Sequence, residues 1–333
     1  MNRSLFSPVS STLFSTMILL SSTHAAAEIK VSDRLSLSGF FDMSYANTSS
    51  DNDANEGSSL SFDQFEVDLQ FNISEGVTAY ADIEAGQGES VGGINGIEAS
   101  LEQAYFTSKI DNALTFKAGR FLSYSGWESE EPTGLLQYSG AYGAQFYGAY
   151  QNGVSVLYNA GVVSIAGSVV DDTFGVTDGD GDAEDLGSEL MLAFSPSSSL
   201  TAKLFFLSDK GAGGETQSNI DAWVSYASGG WTLAAEFVTA SNAGGVKDVD
   251  RSGYLLMANK KLTKQLSATT RYHAWSEENA VGNTTADNSA ITVAGLFAIN
   301  DSWSLIAEVR GDKDDLNSDN DGTTIAFESL MTF

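Results

Sequence analysis

From residue 33 onward the chain reads as short stretches of alternating apolar and polar positions, each closed by a turn. Period-two alternation puts successive side chains on opposite faces of a strand. In "RLSLSGFFDMSYAN", Leu35, Leu37, Phe41, Met43 and Tyr45 share one face, with Asp42 and Ser44 on the other. "FEVDLQFNI" sets Phe65, Val67, Leu69, Phe71 and Ile73 against Glu66, Asp68, Gln70 and Asn72. "VTAYADIEA" sets Val77, Ala79, Ala81 and Ile83 against Thr78, Tyr80, Asp82 and Glu84. "LTAKLFFLS", "NIDAWVSYA", "WTLAAEFVTA", "LSATTRYHAW", "SAITVAGLFAI" and "SWSLIAEVRG" behave alike, and in 97–110 Leu101 and Tyr105 are assigned to the apolar face. The closing "IAFESLMTF" puts Ile325, Phe327, Ser329, Met331 and the terminal Phe333 on one face.

Connections alternate in length. Short ones fall near 74–76, 111–113, 159–161, 195–199, 228–230, 260–264 and 300–301. Long ones fall near 47–59, 86–96, 122–148, 171–187, 209–218, 241–251, 276–288 and 311–322. Strict alternation predicts an all-β fold of roughly sixteen antiparallel strands, both termini lying on the short-turn side. No break in composition divides the series, so one barrel domain is the economical reading.

The apolar faces could meet each other in a soluble sandwich or meet lipid in a transmembrane barrel with a wet, polar lumen. Strand lengths suit a tilted span of about nine to eleven residues. Loops are short on one side only. Phe71, Phe116, Tyr158, Phe194, Tyr226, Trp231, Trp303 and Phe333 gather beside the short turns, where an aromatic girdle would sit at headgroup level. These features favour the barrel over the sandwich.

The N-terminus changes the picture of where the product goes. "MNRSLFSPVSSTLFSTMILLSSTHAAAEIK" has a basic start at Arg3, an apolar stretch from Leu13 to Leu20, and Ala25 and Ala27 in an A-x-A pattern before Glu28. This predicts a removable signal peptide over 1–27 and an exported domain over 28–333; the alternative, a membrane-anchoring helix, asks for a longer uninterrupted apolar run.

Charge narrows the partners. The 333 residues carry 44 acidic against 16 basic side chains, a formal charge of −28. Such a surface lacks the basic footprint a nucleic acid needs. With no Cys there is no disulfide scaffold and no thiolate metal site. Two His leave little for a transition metal, and no cofactor is expected.

"LSLSGFFDMSY" resembles the first strand of the Gram-negative outer-membrane porins, and "LEQAYFTSKIDNALTFKAGRF" resembles the strand pair before their third loop. The likeness spans nearly all of the sequence after the signal, and the terminal Phe333 resembles the family's assembly signal. A related porin-like family shares the "GRF…E" stretch, so these motifs allow both. The resemblance implies a sixteen-strand homotrimer embedded in outer-membrane lipid and lipopolysaccharide. It also implies insertion by the barrel-assembly machinery and a third loop, here 122–148, folded inward to narrow the pore.

Within that frame Glu128, Glu130 and Glu131 are candidates for a constriction, beside the alternative of simple solvated carboxylates. The family sets basic wall residues on early strands opposite an acidic third loop. This chain departs from it: the inward positions there are Asp42, Glu66, Asp68, Asp82 and Glu84, and the basic lumen candidates are Lys117, Arg120, Lys203, Arg271 and Arg310. "DGDGDAED" spaces Asp178, Asp180 and Asp182 with Gly, a pattern for a hard cation or for a flexible acidic loop. His273 has no recognisable nucleophile partner, so catalysis is not expected. Inward Phe40, Tyr80, Phe205, Trp223 and Trp275 could form a sugar-stacking track or simply fill the lumen.

The expected function is passive diffusion of small hydrophilic solutes, with preference for cations. A solute-selective channel is the first alternative, and a barrel enzyme or adhesin the second. Because the last strand supplies both the closing edge and the terminal ring, deleting Phe333 should sharply reduce outer-membrane insertion while leaving export intact. Membrane fractionation of the truncated chain checks this, and normal insertion would make the aromatic ending incidental.

Overall fold

The computed structural model describes residues 28–50, 56–87, 97–128, 131–175 and 185–333. Residues 1–27, read above as a signal peptide, and Glu130, Asp178, Asp180 and Asp182 lie outside the described residues. A two-residue strand β1 (Ile29–Lys30) precedes β2 (Leu35–Ser50), β3 (Gly57–Ser74), β4 (Val77–Gln87), β5 (Ile97–Lys109) and β6 (Leu114–Leu122). After a long loop come β7 (Tyr150–Asn159), β8 (Val163–Val170), β9 (Gly187–Ser197), β10 (Leu200–Lys210), β11 (Thr216–Ser228) and β12 (Trp231–Ser241). The chain ends with β13 (Asp250–Lys261), β14 (Leu266–Glu278), β15 (Thr284–Asn300), β16 (Trp303–Asp314) and β17 (Gly322–Thr332).

Each strand from β2 to β17 pairs antiparallel with its sequence neighbours, and β17 pairs back onto β2 from Gly322 opposite Ser50 to Thr332 opposite Phe40. The result is a closed barrel of 16 strands, as the alternation predicts. No helix is long and apolar enough to cross a membrane among the described residues; the crossing is made by strands, whose backbone groups closure satisfies.

The seam also takes in Phe333. Beyond β17, Phe333 and Gly39 exchange two backbone hydrogen bonds of 3.0 Å. Ile29 then sits opposite Leu37 and Lys30 opposite Ser36, on the same edge of β2. The first and last residues of the described chain thus cover the β2 edge in series, leaving little unpaired backbone. The Phe333 ring lies 6.0 Å from that of Phe65 and covers Gly39. A Cβ at Gly39 would overlap both the Phe333 ring and the Glu66 carbonyl oxygen.

The apolar face points outward all round: Phe41, Phe71, Tyr158, Phe194, Tyr226, Trp231 and Phe327 are exposed. The short turns are tight. Asp111 accepts the N–H groups of Ala113 (2.7 Å) and Leu114 (2.8 Å), and these bonds hold its carboxyl below the usual range. The polar hairpins run further than the sequence pattern marks, since β2, β3 and β15 carry ladder pairing into segments read above as loops.

Two assignments are corrected. Tyr105 faces inward, stacked on Tyr80 at 4.9 Å, because Gln103 pairs with Asp82 and Leu101 with Ile83, which leaves Glu102 as an extra residue. That bulge shifts parity, so Leu101 is outward as expected and Tyr105 is not. Arg120 pairs with Ala104 and Asn152 on the outer row, three positions from inward Lys117. An odd spacing in an unbroken strand puts two residues on opposite faces.

Replacing Gly39 by Val should cost the heat-resistant folded form seen on semi-native gels, with Gly39→Ala intermediate. Full retention of that form in Gly39→Val would show that the seam tolerates a side chain there.

Candidate functional site

The connection between β6 and β7, residues 123–149 and hereafter loop 3, turns into the barrel, and three inward carboxylates receive its first part. Glu189 on β9 accepts the Tyr124 N–H and the Ser123 hydroxyl, each at 2.8 Å. Asp221 on β11 accepts the Gly126 N–H and Glu236 on β12 the Trp127 N–H, each at 2.6 Å. Glu236 also accepts the Tyr142 and Tyr147 hydroxyls, at 2.9 and 2.5 Å. An irregular segment inside a barrel needs partners for its N–H groups, and charged acceptors are the strong ones.

Around these bonds the loop buries Trp127, Tyr142, Phe146 and Tyr147 against Phe205, Leu207, Trp223, Val238 and Leu255. The loop thereby fills the β8–β14 side of the barrel. Phe205 and Trp223, two members of the supposed stacking track, are buried in this packing, as Phe40 is elsewhere; Tyr80 and Trp275 remain half-buried.

The far end of the loop is clasped by Arg271, which is 0% exposed. Its guanidinium donates to Glu128 Oε1 (2.6 Å), the Ser139 carbonyl (2.6 Å), Ser139 Oγ (3.0 Å), the Gly140 carbonyl (3.2 Å) and Thr292 Oγ1 (3.1 Å). Glu128 also accepts from Gln137 (2.8 Å) and the Ala141 N–H (2.6 Å). At the tip, Glu308 accepts the N–H groups of Tyr138 (2.9 Å) and Ser139 (3.1 Å), and the Tyr138 hydroxyl meets Ser44 Oγ at 3.1 Å. The loop therefore spans the lumen from β9 to β2.

Of the basic candidates, Arg310 pairs with Asp312 at 2.6 Å and donates to the Gly140 carbonyl. Lys117 is buried, its Nζ 4.3 to 4.7 Å from the ring centroids of Tyr105, Phe121 and Tyr124. Lys203 lies 5.1 Å from the Trp223 ring. Arg120, on the outer row, lies 5.8 Å from the Tyr150 ring.

The acidic candidates occupy the opposite wall. Asp68, Asp82 and Glu84 are half-buried there, with Asp42 and Glu66 buried beside them. Glu131 joins this wall: Tyr150 donates to it at 3.2 Å and Gln64 at 3.4 Å. Carboxylate oxygens of Glu66, Glu102 and Glu131 lie within 4.8 Å of one another. Glu128 and Glu131 are thus separated in role, one neutralised in the clasp and one on the acidic wall. Sequence reasoning did not single out Glu102, hidden by its bulge, or the loop acceptors Glu189, Asp221, Glu236 and Glu308. The latter do stand in phase on the polar faces of their strands.

A closed barrel of 16 strands with an inward third loop defines the class: an outer-membrane β-barrel porin. A sequence model of the beta-barrel porin-2, OmpL-like family matches residues 34–333, and the chain belongs to that family. Its fold is similar to Salmonella typhi OmpF, solved in complex with daunomycin (TM-score 0.72, 13% identity, 92% of this chain and 100% of that one). It is also similar to an anion-selective porin from Comamonas acidovorans (TM-score 0.71, 14%, covering 90% and 99%). In-vitro folded OmpT of Vibrio cholerae, in its trimer form, matches with TM-score 0.68 at 10% identity, covering 90% and 99%. No curated protein sequence matches the chain.

Removing one member of a buried ion pair costs roughly 3–5 kcal/mol, here set against loop docking. Arg271→Ala should raise single-channel conductance, add gating noise and expose loop 3 to external protease, with the barrel still heat-resistant. Unchanged conductance and protease resistance would show that the loop is held without the clasp.

Proposed function

We propose that this porin is a passive diffusion channel for small hydrophilic solutes and ions, preferring cations, with its passage running along β3–β5 beside loop 3. The carrying observation is an asymmetry of the inner surface. Inward side chains at mid-barrel are mostly buried from β8 to β17, whereas Asp68, Tyr80, Asp82, Glu84 and Glu102 are half-exposed. Water reaches the acidic wall and is largely excluded from the side packed by loop 3.

Counter-charge at that wall is scarce. Arg271 and Arg310 are engaged with Glu128 and Asp312, and Lys117, buried among rings, is the one cation near Asp82 among the described residues. Fixed carboxylates in a passage with low-dielectric walls concentrate counter-ions. Mouth charges reach only about 8 Å at physiological salt, so the constriction decides. The selectivity of the Comamonas porin does not transfer, because at such identity the likeness carries the fold alone.

Nothing in this passage calls for chemistry, and we read the chain as a channel rather than an enzyme. Trimeric assembly is proposed on the same footing, from the trimer form of OmpT. A second reading, selectivity for sugars, draws on the stacked Tyr80–Tyr105 pair beside the passage; saturable block by one sugar class would favour it.

In a KCl gradient across a planar bilayer, the reversal potential should have the cation-selective sign. It should shrink in Asp68→Asn/Asp82→Asn/Glu84→Gln, whereas Glu128→Gln should act through loop position and change conductance more than selectivity. An anion-selective wild type would sink the charge argument. Unchanged selectivity in the triple variant would sink the role of this wall segment alone.

A further inference from the structure

We propose that Asp42 on β2 and Glu328 on β17 hold a hard divalent cation, calcium or magnesium, inside the barrel at its closing seam. The register places them together: Asp42 is opposite Leu330 and Glu328 opposite Ser44, so the two acids are inward diagonal neighbours across the first–last strand pair. Their carboxyl groups are close neighbours, with Asp63 and Glu308 near enough to add their charge. Both are more than nine-tenths buried, Asp42 being 5% and Glu328 4% exposed.

Asp42 Oδ1 and Glu328 Oε2 have no hydrogen-bond partner, and neither do Asp63 Oδ2 or Glu308 Oε1. None of the ion pairs among the described residues involves either acid of the pair. Buried neighbouring carboxylates need something positive between them. A single shared proton removes one charge, whereas a divalent cation also offsets the neighbouring Asp63 and Glu308. A calcium ion takes six to eight oxygen ligands at roughly 2.3–2.6 Å and can bridge the Asp42 and Glu328 carboxyls, with water completing its shell. It can also draw on the Ser44 and Tyr138 hydroxyls, which meet at 3.1 Å beside them. Hard oxygen-only donors of this kind suit calcium or magnesium over the softer transition metals. The consequence is structural: the ion ties the first strand to the last and both to the loop 3 tip.

The test uses the mature chain refolded into detergent without lipopolysaccharide, which itself binds divalent ions. Thermal unfolding is followed by loss of the heat-resistant form, in EDTA and in calcium or magnesium chloride at pH 7.5. The wild-type midpoint should rise by roughly 5 °C or more with saturating cation. Glu328→Gln and Asp42→Asn each remove one charge and its repulsion. Each should be at least as stable as wild type in EDTA and lose most of the cation response. The two variants guard against one failing to refold. A full wild-type response retained in both would overturn the proposal and move the ion elsewhere, with Glu66, Glu102 and Glu131 the next place to look. No response in wild type, together with stabilisation by Glu328→Gln in EDTA, would overturn it in favour of a shared proton.

Discussion

Closure is the constraint from which the rest follows. In hydrocarbon no water is available to an unpaired N–H or carbonyl, so a sheet that spans must have no free edge. Here the β2 edge is covered by three pieces in line: β17, the backbone of Phe333, and the two residues of β1. The absence of a side chain at Gly39 admits the Phe333 ring at the junction. Every other strand pairs with its sequence neighbour, which short turns make easy. The seam alone joins residues separated by nearly the whole chain.

A closed barrel of this size has more interior than its wall side chains can fill, and loop 3 occupies the difference. Its docking shows two uses of acidity. On β9, β11 and β12, Glu189, Asp221 and Glu236 are consumed by backbone N–H groups of the loop. On β3 and β4, Asp68, Asp82 and Glu84 receive no loop 3 N–H among the described residues and remain half-exposed. The same residue type at the same inward parity is a fastener on one wall and a lining on the other. What separates the two is only which side the loop leans on.

Strands, their faces and the order of short and long loops were legible because period two is a local property and lipid on one side makes it strict. Failures came where the period breaks or where distant residues meet. The extra residue at Glu102 reverses the parity of Tyr105, and nothing in "LEQAYFTSK" marks the bulge. Arg120 was readable in principle, since Lys117 and Arg120 are an odd number of positions apart and cannot share a face of a regular strand. Glu128 and Arg271 stand 143 positions apart, and their 2.6 Å contact depends on how the loop crosses the lumen. No local pattern carries that information.

Composition therefore misleads in a specific way. A formal charge of −28 suggests a strongly acidic pore, yet much of the inward acidity is hidden under loop 3 or engaged with arginine. Conversely, of the basic residues that could oppose a cation, Arg271 is drawn into the clasp and Arg120 to the outer row, while Lys117 lies among rings on the side of Asp82. In the reading proposed above, the field a solute meets is set by the half-exposed carboxylates of β3–β5 and by Glu131, which Tyr150 and Gln64 contact. Moving loop 3 by one strand would exchange which acids are covered and which are bare, without altering one residue of the sequence. On this reading selectivity depends on where the loop docks, and the residues that fix the docking govern it as directly as those that line the passage.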